Sequence, residues 1–179
     1  MSVLFVGANP FVRLFDAEGA VTAAASVWVA DWSVKGPGTA LVLWHEGSVR
    51  VLGSDVELAR WLEHDFTRHF PEMEGLAWPP STVEKVPVVV EAGLDSLHAK
   101  AGDVVVTAGD VLGRRAYTTD SFDLDGTPHG LSLVLAPARS GTITVGGVDV
   151  PGEVVVEGTP ERPSSSAFLT AAEVWTRVA

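Results

Sequence analysis

The sequence contains no cysteine. Disulfide bonds, catalytic thiolates, cysteine-ligated zinc and iron–sulfur clusters are therefore excluded. Other motifs that accompany a cofactor are also missing. No glycine-rich loop joins a predicted strand to a helix, no G-x-S-x-G or H-E-x-x-H segment occurs, and the five histidines are scattered. From these absences we expect a protein that uses no cofactor and no metal.

One segment has part of the pattern of a calcium-binding loop. Asp120, Asp123 and Asp125 precede Gly126, as acidic residues precede the glycine in such loops. The glutamate that should follow six residues after the glycine is replaced by Ser132. A tight turn explains the same residues, so the segment predicts a hairpin rather than a calcium site.

Positive charge is scarce. The chain has 12 lysines and arginines against 23 aspartates and glutamates, which gives a formal net charge of −11. Such a chain is repelled by phosphate backbones and anionic lipid surfaces, so we expect no nucleic-acid and no membrane partner. No apolar run is long enough to span a bilayer. The N-terminal segment lacks a basic start and predicts a first strand rather than a signal peptide, so a cytoplasmic location is expected.

The residues that are present indicate a globular β protein. Hydrophobic residues make up 46% of the 179 residues, enough for a sizeable core in a single β-rich domain over 1–179. The segment Ala20–Trp32 has a period of two, which is typical of a strand. One face holds only apolar residues and the other a mixture of small, polar and aromatic residues: Val21, Ala23, Ala25, Val27 and Val29 against Thr22, Ala24, Ser26, Trp28 and Trp32. Tight hairpins are predicted at Glu46-Gly47, Asp125-Gly126 and Gly146-Gly147. The pattern predicts an antiparallel barrel of calycin-like shape or a sandwich, and closure into a barrel would remove exposed strand edges.

One inserted helix is predicted around residues 55–70. Ser54 or Asp55 can cap it, and its apolar residues recur at intervals of three and four. Its charged residues, which include Glu63 and Arg68, are expected on a solvated face. The last segment, 167–178, fits a strand or a helix, and its threonine content and the preceding loop favour a strand.

The hairpin around Asp125-Gly126 carries a candidate acid–base pair. A two-residue turn places Phe122 opposite His129 and Asp120 opposite Leu131. The same register pairs Thr118 with Leu133 and Ala116 with Leu135, and these four residues also lie on the predicted core face of the hairpin. Asp120 and His129 would share that face as diagonal neighbours, and a carboxylate beside an imidazole can carry out general acid–base catalysis. A structural ion pair is the alternative interpretation.

Aromatic residues supply candidate ligand contacts. Trp28 and Trp32 alternate with small polar residues on one predicted strand face, a mixture that suits a ligand cavity. If the last segment is a strand, Glu173 and Trp175 share a face with Leu169, and a glutamate among apolar residues is either paired or directed at a ligand. The expected ligand contacts are Trp28, Trp32, Phe122, Glu173 and Trp175.

Three functions remain open at this point. The first is binding of a small, largely apolar or aromatic molecule inside a β-barrel. The second is a cofactor-independent enzyme, such as an isomerase, cyclase or hydratase, with Asp120 and His129 as acid and base. The third is an interaction module in which apolar strands form a homo-oligomer interface without a ligand.

Overall fold

The computed structural model describes residues 1–178, which are mainly β, with 62% strand and one short α-helix. The strands are β1 (Ser2–Ala8), β2 (Phe11–Phe15), β3 (Val21–Ser33), β4 (Gly38–His45), β5 (Ser48–Gly53), β6 (Thr82–Lys85), β7 (Val88–Ala92), β8 (Leu97–Ala101), β9 (Val104–Val111), β10 (Arg115–Leu124), β11 (Thr127–Val145), β12 (Val148–Asp149), β13 (Val156–Gly158), β14 (Pro163–Ser165) and β15 (Ala167–Arg177), and the helix is α1 (Val56–Asp65).

Thirteen of the strands described in residues 1–178 form one large sheet. Its main order is β6-β5-β4-β3-β1-β15-β11-β9-β8-β7, and β2, β10 and β12 pair with members of this row. The ladders are antiparallel except for β5–β6, which is parallel. The sheet is therefore mixed, not purely antiparallel. Strands β6 and β7 are separated around Pro87, which lacks a backbone N–H.

The three predicted tight hairpins are confirmed. Both residues of Glu46-Gly47, Asp125-Gly126 and Gly146-Gly147 have positive φ, between 51° and 81°. This geometry matches the twist of the strands that the turn connects. The hairpin at Asp125-Gly126 joins β10 to β11 and is the one on which the candidate site depends.

Strands at the centre of the sheet are buried on both faces, which explains their nearly continuous apolar sequences. In β3, Ala23, Ala25 and Val27 point to one face, while Ala24 and Trp28 point to the other. The first face builds the sheet core, which draws on both ends of the strand order: Val12, Leu14, Ala23, Ala25, Val27, Leu41, Leu43, Leu52, Val88, Leu97, Ala99, Ala101, Val104, Val106, Ala108, Ala136, Ala138, Ile143, Val150, Ala167 and Leu169.

The opposite face builds the helix-side core. It contains the buried side of the helix and the chain that follows it, packed on the sheet: Leu4, Phe5, Phe11, Ala24, Trp28, Ala30, Ala40, Val51, Leu58, Ala59, Leu62, Phe66, Phe70, Met73, Leu124, Leu131 and Trp175. This second core is the side of the molecule on which the candidate site lies.

The predicted helix is confirmed, but it is shorter than 55–70. Asp55 caps it, because its carboxylate accepts a hydrogen bond from the Leu58 N–H at 3.0 Å. The α-helix ends at Asp65, and two short 3₁₀ turns follow. Glu63 was expected in solvent but is buried, because its carboxylate receives two hydrogen bonds from Arg68, at 2.7 and 2.9 Å.

The prediction that the C-terminal segment is a strand is confirmed. This strand, β15, lies between β1 and β11 in the sheet. Within residues 1–178, no helix has the length and apolar character needed to cross a membrane.

Candidate functional site

The chain after α1 covers part of the helix-side face of the sheet. Its two 3₁₀ turns span Thr67–His69 and Pro71–Met73. Phe66 and Phe70 pack on Trp28, with ring centroids 5.6 and 5.9 Å apart. The Thr67 hydroxyl accepts a hydrogen bond from the Trp28 indole N–H at 2.9 Å. This contact holds the covering segment on the sheet and satisfies a buried donor.

A β-bulge in β15 decides which side chains face this cover. Ser132 pairs with Val174 and Val134 pairs with Ala171, so β15 has one extra residue opposite Leu133. Ala172 accommodates the extra residue with a φ of 50°. The direction of the side chains reverses along β15. Phe168 and Thr170 before the bulge, and Glu173 and Trp175 after it, therefore line the same cavity.

This bulge corrects the prediction that Glu173 and Trp175 share a face with Leu169. Strict alternation would place these three odd-numbered residues together. Leu169 instead lies in the sheet core, while Trp175 lies in the helix-side core. The extra residue at Ala172 is the cause.

A second bulge changes the register of the β10–β11 hairpin. Phe122 pairs with His129, as predicted, but Thr119 pairs with Leu131, where Asp120 was expected. The extra residue lies opposite Gly130, where a Cβ atom would come within 2.1 Å of the Thr176 hydroxyl oxygen. The predicted pairs of Thr118 with Leu133 and Ala116 with Leu135 are wrong by one residue. Tyr117 and Arg115 pair with these leucines instead.

Together the two bulges shape a cavity of about 260 Å³ across β10, β11 and β15. Leucines of β11 form its floor, and Phe70 of the covering segment lies among its walls. Polar groups occur on β15 and β10 and at Asn9 between β1 and β2. The lining residues are Asn9, Phe70, Glu72, Arg115, Tyr117, Phe122, Leu131, Leu133, Leu135, Pro137, Ser164, Ser165, Phe168, Thr170, Glu173 and Trp175.

Aromatic rings make up much of the wall. Phe70 stacks on Trp175 with centroids 5.9 Å apart and ring planes 15° apart. Phe122 meets Trp175 nearly at a right angle, at 5.1 Å. These contacts fix the rings relative to one another, so the wall is pre-formed.

Glu173 is the most unusual residue of the cavity, because its ionisable side chain is only 2% exposed. Burial raises the pKa of its carboxyl group to about 7, although hydrogen bonds from Trp175 and Thr170 oppose the shift and the charge of Glu72 adds to it. The Trp175 indole N–H donates to Oε2 at 2.7 Å. No lysine, arginine or histidine lies within ion-pair distance of this carboxyl group in residues 1–178.

A second carboxyl group enters the cavity from the covering segment. Burial also raises the pKa of Glu72, while its own backbone N–H and the positive charge of Arg13 oppose the shift. Arg13 donates a hydrogen bond to the backbone carbonyl of Glu72 at 3.0 Å. Glu72 and Glu173 thus place two carboxyl groups on one largely apolar cavity.

Asn9 connects the cavity to a buried polar network. Its Nδ2 group donates to the Ser26 hydroxyl at 2.9 Å and to the Val27 carbonyl at 2.8 Å. The Ser26 hydroxyl also accepts from Thr67, and the backbone N–H of Asn9 donates to the Thr170 hydroxyl at 2.7 Å. The network fixes Asn9 where β1 gives way to β2.

A second, more polar cavity of about 600 Å³ adjoins the first. Phe70, Tyr117 and Phe122 line both cavities and form the wall between them. The remaining residues around the second cavity are mostly polar: Arg68, His69, Pro71, Glu74, Thr119, Ser121 and Asp123.

The structure brings three of the five predicted ligand contacts together. Phe122, Glu173 and Trp175 line the first cavity. Trp28 is fully buried behind the cavity, in contact with Phe70, and does not line it. Trp32 is 49% exposed on β3 and lies outside both cavities.

Asp120 and His129 are not brought together as the predicted register required. Asp120 is exposed in the β10 bulge, whereas His129 is 9% exposed and its ring lies 6.5 Å from that of Trp175. His129 Nδ1 is 2.9 Å from the Thr127 carbonyl oxygen. In the described part of the chain, neither a hydrogen bond nor an ion pair joins Asp120 to His129.

Sequence reasoning missed several residues of the cavity. Glu72 and Asn9 lie beside Pro71 and Pro10, in segments that the sequence marks only as a helix end and a turn. Tyr117 and Arg115 were missed because a bulge shifts the side-chain alternation. Asn9 offers one usable signal: a polar residue between two predicted apolar strands.

Residues 1–178 contain no group of three or more histidine, cysteine, aspartate or glutamate side chains able to hold a metal ion. The chain matches no protein-family model, no curated protein and no solved structure.

Proposed function

We propose that this protein binds a small, largely apolar or aromatic molecule in the cavity beneath Phe70. The observation that carries the proposal is an open space of about 260 Å³ with fixed aromatic walls and a buried carboxyl group on its rim. Ligand sites are concave, mostly apolar and furnished with few polar groups that orient the ligand.

The cost of burying Glu173 supports this proposal. A carboxyl group without an ion-pair partner is expensive to bury, and its raised pKa records that cost. Ionisable groups with strongly shifted pKa values in clefts are candidates for functional sites. Phe122, Trp175 and the β11 leucines offer the apolar surface that such a ligand would cover.

We also propose that the sheet curls into a barrel-like shape. The Thr39 hydroxyl donates to the Val88 carbonyl at 2.6 Å and so links β4 with β7, which are distant in the strand order. Side chains from both ends of that order also meet in the sheet core. The inside of such a curl would be occupied by these packed side chains, so we propose the ligand on its helix side.

Calorimetric titration with a panel of small aromatic molecules tests the proposal. We expect saturable binding by the wild-type chain. Leu133→Trp would fill the cavity and weaken binding more than tenfold. Ser132→Trp is the matched control, because it adds the same side chain at an exposed neighbouring position of β11.

Circular dichroism and thermal unfolding would check that both variants fold. Two results would overturn the proposal: no saturable binding by any member of the panel, or equal affinities for the wild-type chain and a folded Leu133→Trp variant.

A further inference from the structure

We infer that the ligand of this cavity carries a protonated amine, held at the edge formed by Glu173, Glu72 and Asn9, with its aromatic body over the β11 leucines. This inference rests on the proposed function and specifies its ligand class. It depends on three independent features: the hydrogen-bonding groups that remain free, the distribution of charge and the aromatic rings.

The first feature is a surplus of hydrogen-bond acceptors. Both hydrogens of Asn9 Nδ2 are used by Ser26 and Val27, so the side chain has only its Oδ1 acceptor left to offer. The Trp175 indole N–H is used by Glu173. The carboxyl groups of Glu72 and Glu173 add further acceptors. A ligand with several N–H donors would satisfy this edge.

The second feature is an imbalance of charge across the cavity. Glu173 lies on β15 and Glu72 on the covering segment, and neither carboxylate has an ion-pair partner within residues 1–178. Arg13 is beside Glu72 but donates to its backbone carbonyl. A ligand cation would supply the ion-pair partner that both carboxylates lack.

Arg115 is the cation that faces the cavity from the opposite side. It pairs with Leu135 on β11, which in turn pairs with Thr170, so β10 and β15 are two strand spacings, about 10 Å, apart here. Its guanidinium donates to the Pro163 carbonyl. The Tyr117 hydroxyl group belongs to the same side. Negative and positive groups thus occupy opposite edges, and the ammonium group belongs at the β15 edge.

The third feature is the set of aromatic faces near the carboxyl groups. Phe70 and Phe122 both contact Trp175, which donates to Glu173. Aromatic faces attract cations, and the attraction grows when water is excluded. The same rings would pack against an aromatic ligand body.

Matched ligands test the inference. Calorimetry would compare tryptamine, a cation, with tryptophol, its neutral analogue, and indole-3-propionate, an anion. Phenethylamine, 2-phenylethanol and 3-phenylpropionate repeat the comparison on a smaller ring. We expect each amine to bind at least tenfold more tightly than its neutral and anionic analogues.

The Glu173→Gln variant tests whether Glu173 confers the preference for the amine. We expect this variant to lose most of its preference for tryptamine over tryptophol, because Glu72 is then the remaining carboxylate at this edge. Glu91→Gln is the control, since it removes an exposed carboxylate of β7. If Glu173→Gln does not fold, Glu72→Gln tests the same edge and is expected to reduce the preference for the amine.

The pH dependence adds a further readout. An ammonium group favours the ionised form of Glu173, whose pKa is raised to about 7, so tryptamine affinity should rise between pH 5 and 8. Tryptophol affinity should stay nearly constant, and Glu173→Gln should reduce the pH dependence of tryptamine binding to the part that Glu72 contributes, since burial raises the pKa of Glu72 as well.

The outcomes separate the two proposals. Equal affinity for amine and alcohol in both series, or a preference for the carboxylates, would overturn the inference but leave the binding function intact. Absence of binding by all six compounds would overturn the inference and count against the binding function as well.

Discussion

At the scale of single residues, Glu173 departs most from ordinary protein chemistry. It is almost fully buried, and the groups that contact it are an indole, a hydroxyl and apolar side chains rather than a cation. The carboxylate is therefore destabilised in the folded state. Stability should depend on pH through this residue.

Glu173→Gln should stabilise the chain at and above pH 8 and have little effect near pH 4. The pKa is raised from the ordinary 4.5 to about 7 on folding, so the folded state binds the proton more tightly than the unfolded state does. The contribution of Glu173 to the stability of the wild-type chain is therefore greatest below pH 4.5 and is lost as the pH rises through 7. The gain expected in the variant is on the order of 3 kcal/mol.

Urea denaturation at pH 4, 6 and 8 would measure this gain. Glu91→Gln, at an exposed position, should show no comparable change. If the difference in unfolding free energy between Glu173→Gln and the wild-type chain were the same at every pH, the raised pKa of Glu173 would be contradicted.

Asp120 and His129 were the predicted acid–base pair, and the structure separates their environments. We expect Asp120→Asn to change the free energy of unfolding by less than about 0.5 kcal/mol, because Asp120 is exposed. His129→Gln should cost about 1 kcal/mol or more, since it removes a ring packed near Phe66 and Trp175. A double-mutant cycle should give a coupling energy near zero. A coupling above 1 kcal/mol would restore the pair as a candidate.

At the scale of elements, the two bulges decide which side chains line the cavity, and the lengths of the strands do not. Each adds one residue to a strand that borders β11, and each reverses the alternation of side chains beyond it. The reversals place Tyr117 and Arg115 on one side of the cavity and Glu173 and Trp175 on the other. Bulges are frequent near functional sites because they redirect side chains in this way.

Deleting Ala172 should remove the bulge but leave Glu173 and Trp175 directed into the cavity. With Ala172 removed, Glu173 follows Ala171 directly and takes the position opposite Leu133, so regular alternation keeps Glu173 and Trp175 on the same side as Thr170. Ala172→Gly keeps the bulge and should be nearly neutral, since glycine accepts the φ of 50° without strain. Thermal unfolding and tryptophan fluorescence would compare the two variants, and a folded deletion variant in which Trp175 becomes exposed to solvent would refute the argument.

At the scale of the whole molecule, the homo-oligomer alternative has its own test. Val3, Trp32 and Val34 are exposed apolar residues on or beside the neighbouring strands β1 and β3. If they form an interface between copies, the mass measured by sedimentation should rise with protein concentration, and Trp32→Ser should reduce that association. A concentration-independent monomer mass would exclude an interface at this surface.

Local features of the fold were predictable from the sequence because they depend on neighbours along the chain. Turns at Glu46-Gly47, Asp125-Gly126 and Gly146-Gly147 follow from residues that tolerate positive φ. The helix cap at Asp55 follows from a carboxylate before an amphipathic segment. Alternation marked most strands, and the last segment was correctly favoured as a strand.

The composition of the cavity could not be predicted in the same way. Alternation fixes the face of a side chain only while the ladder stays regular, so each bulge reversed the faces expected for the residues beyond it. The sequence therefore identified Phe122, Glu173 and Trp175 as candidate ligand contacts. It also placed Glu173 on the same face as Leu169, and Asp120 beside His129, and the structure shows neither arrangement. Only the tertiary structure brings Glu72 and Asn9 to Glu173, because these residues are far apart in the chain and meet through packing on the sheet.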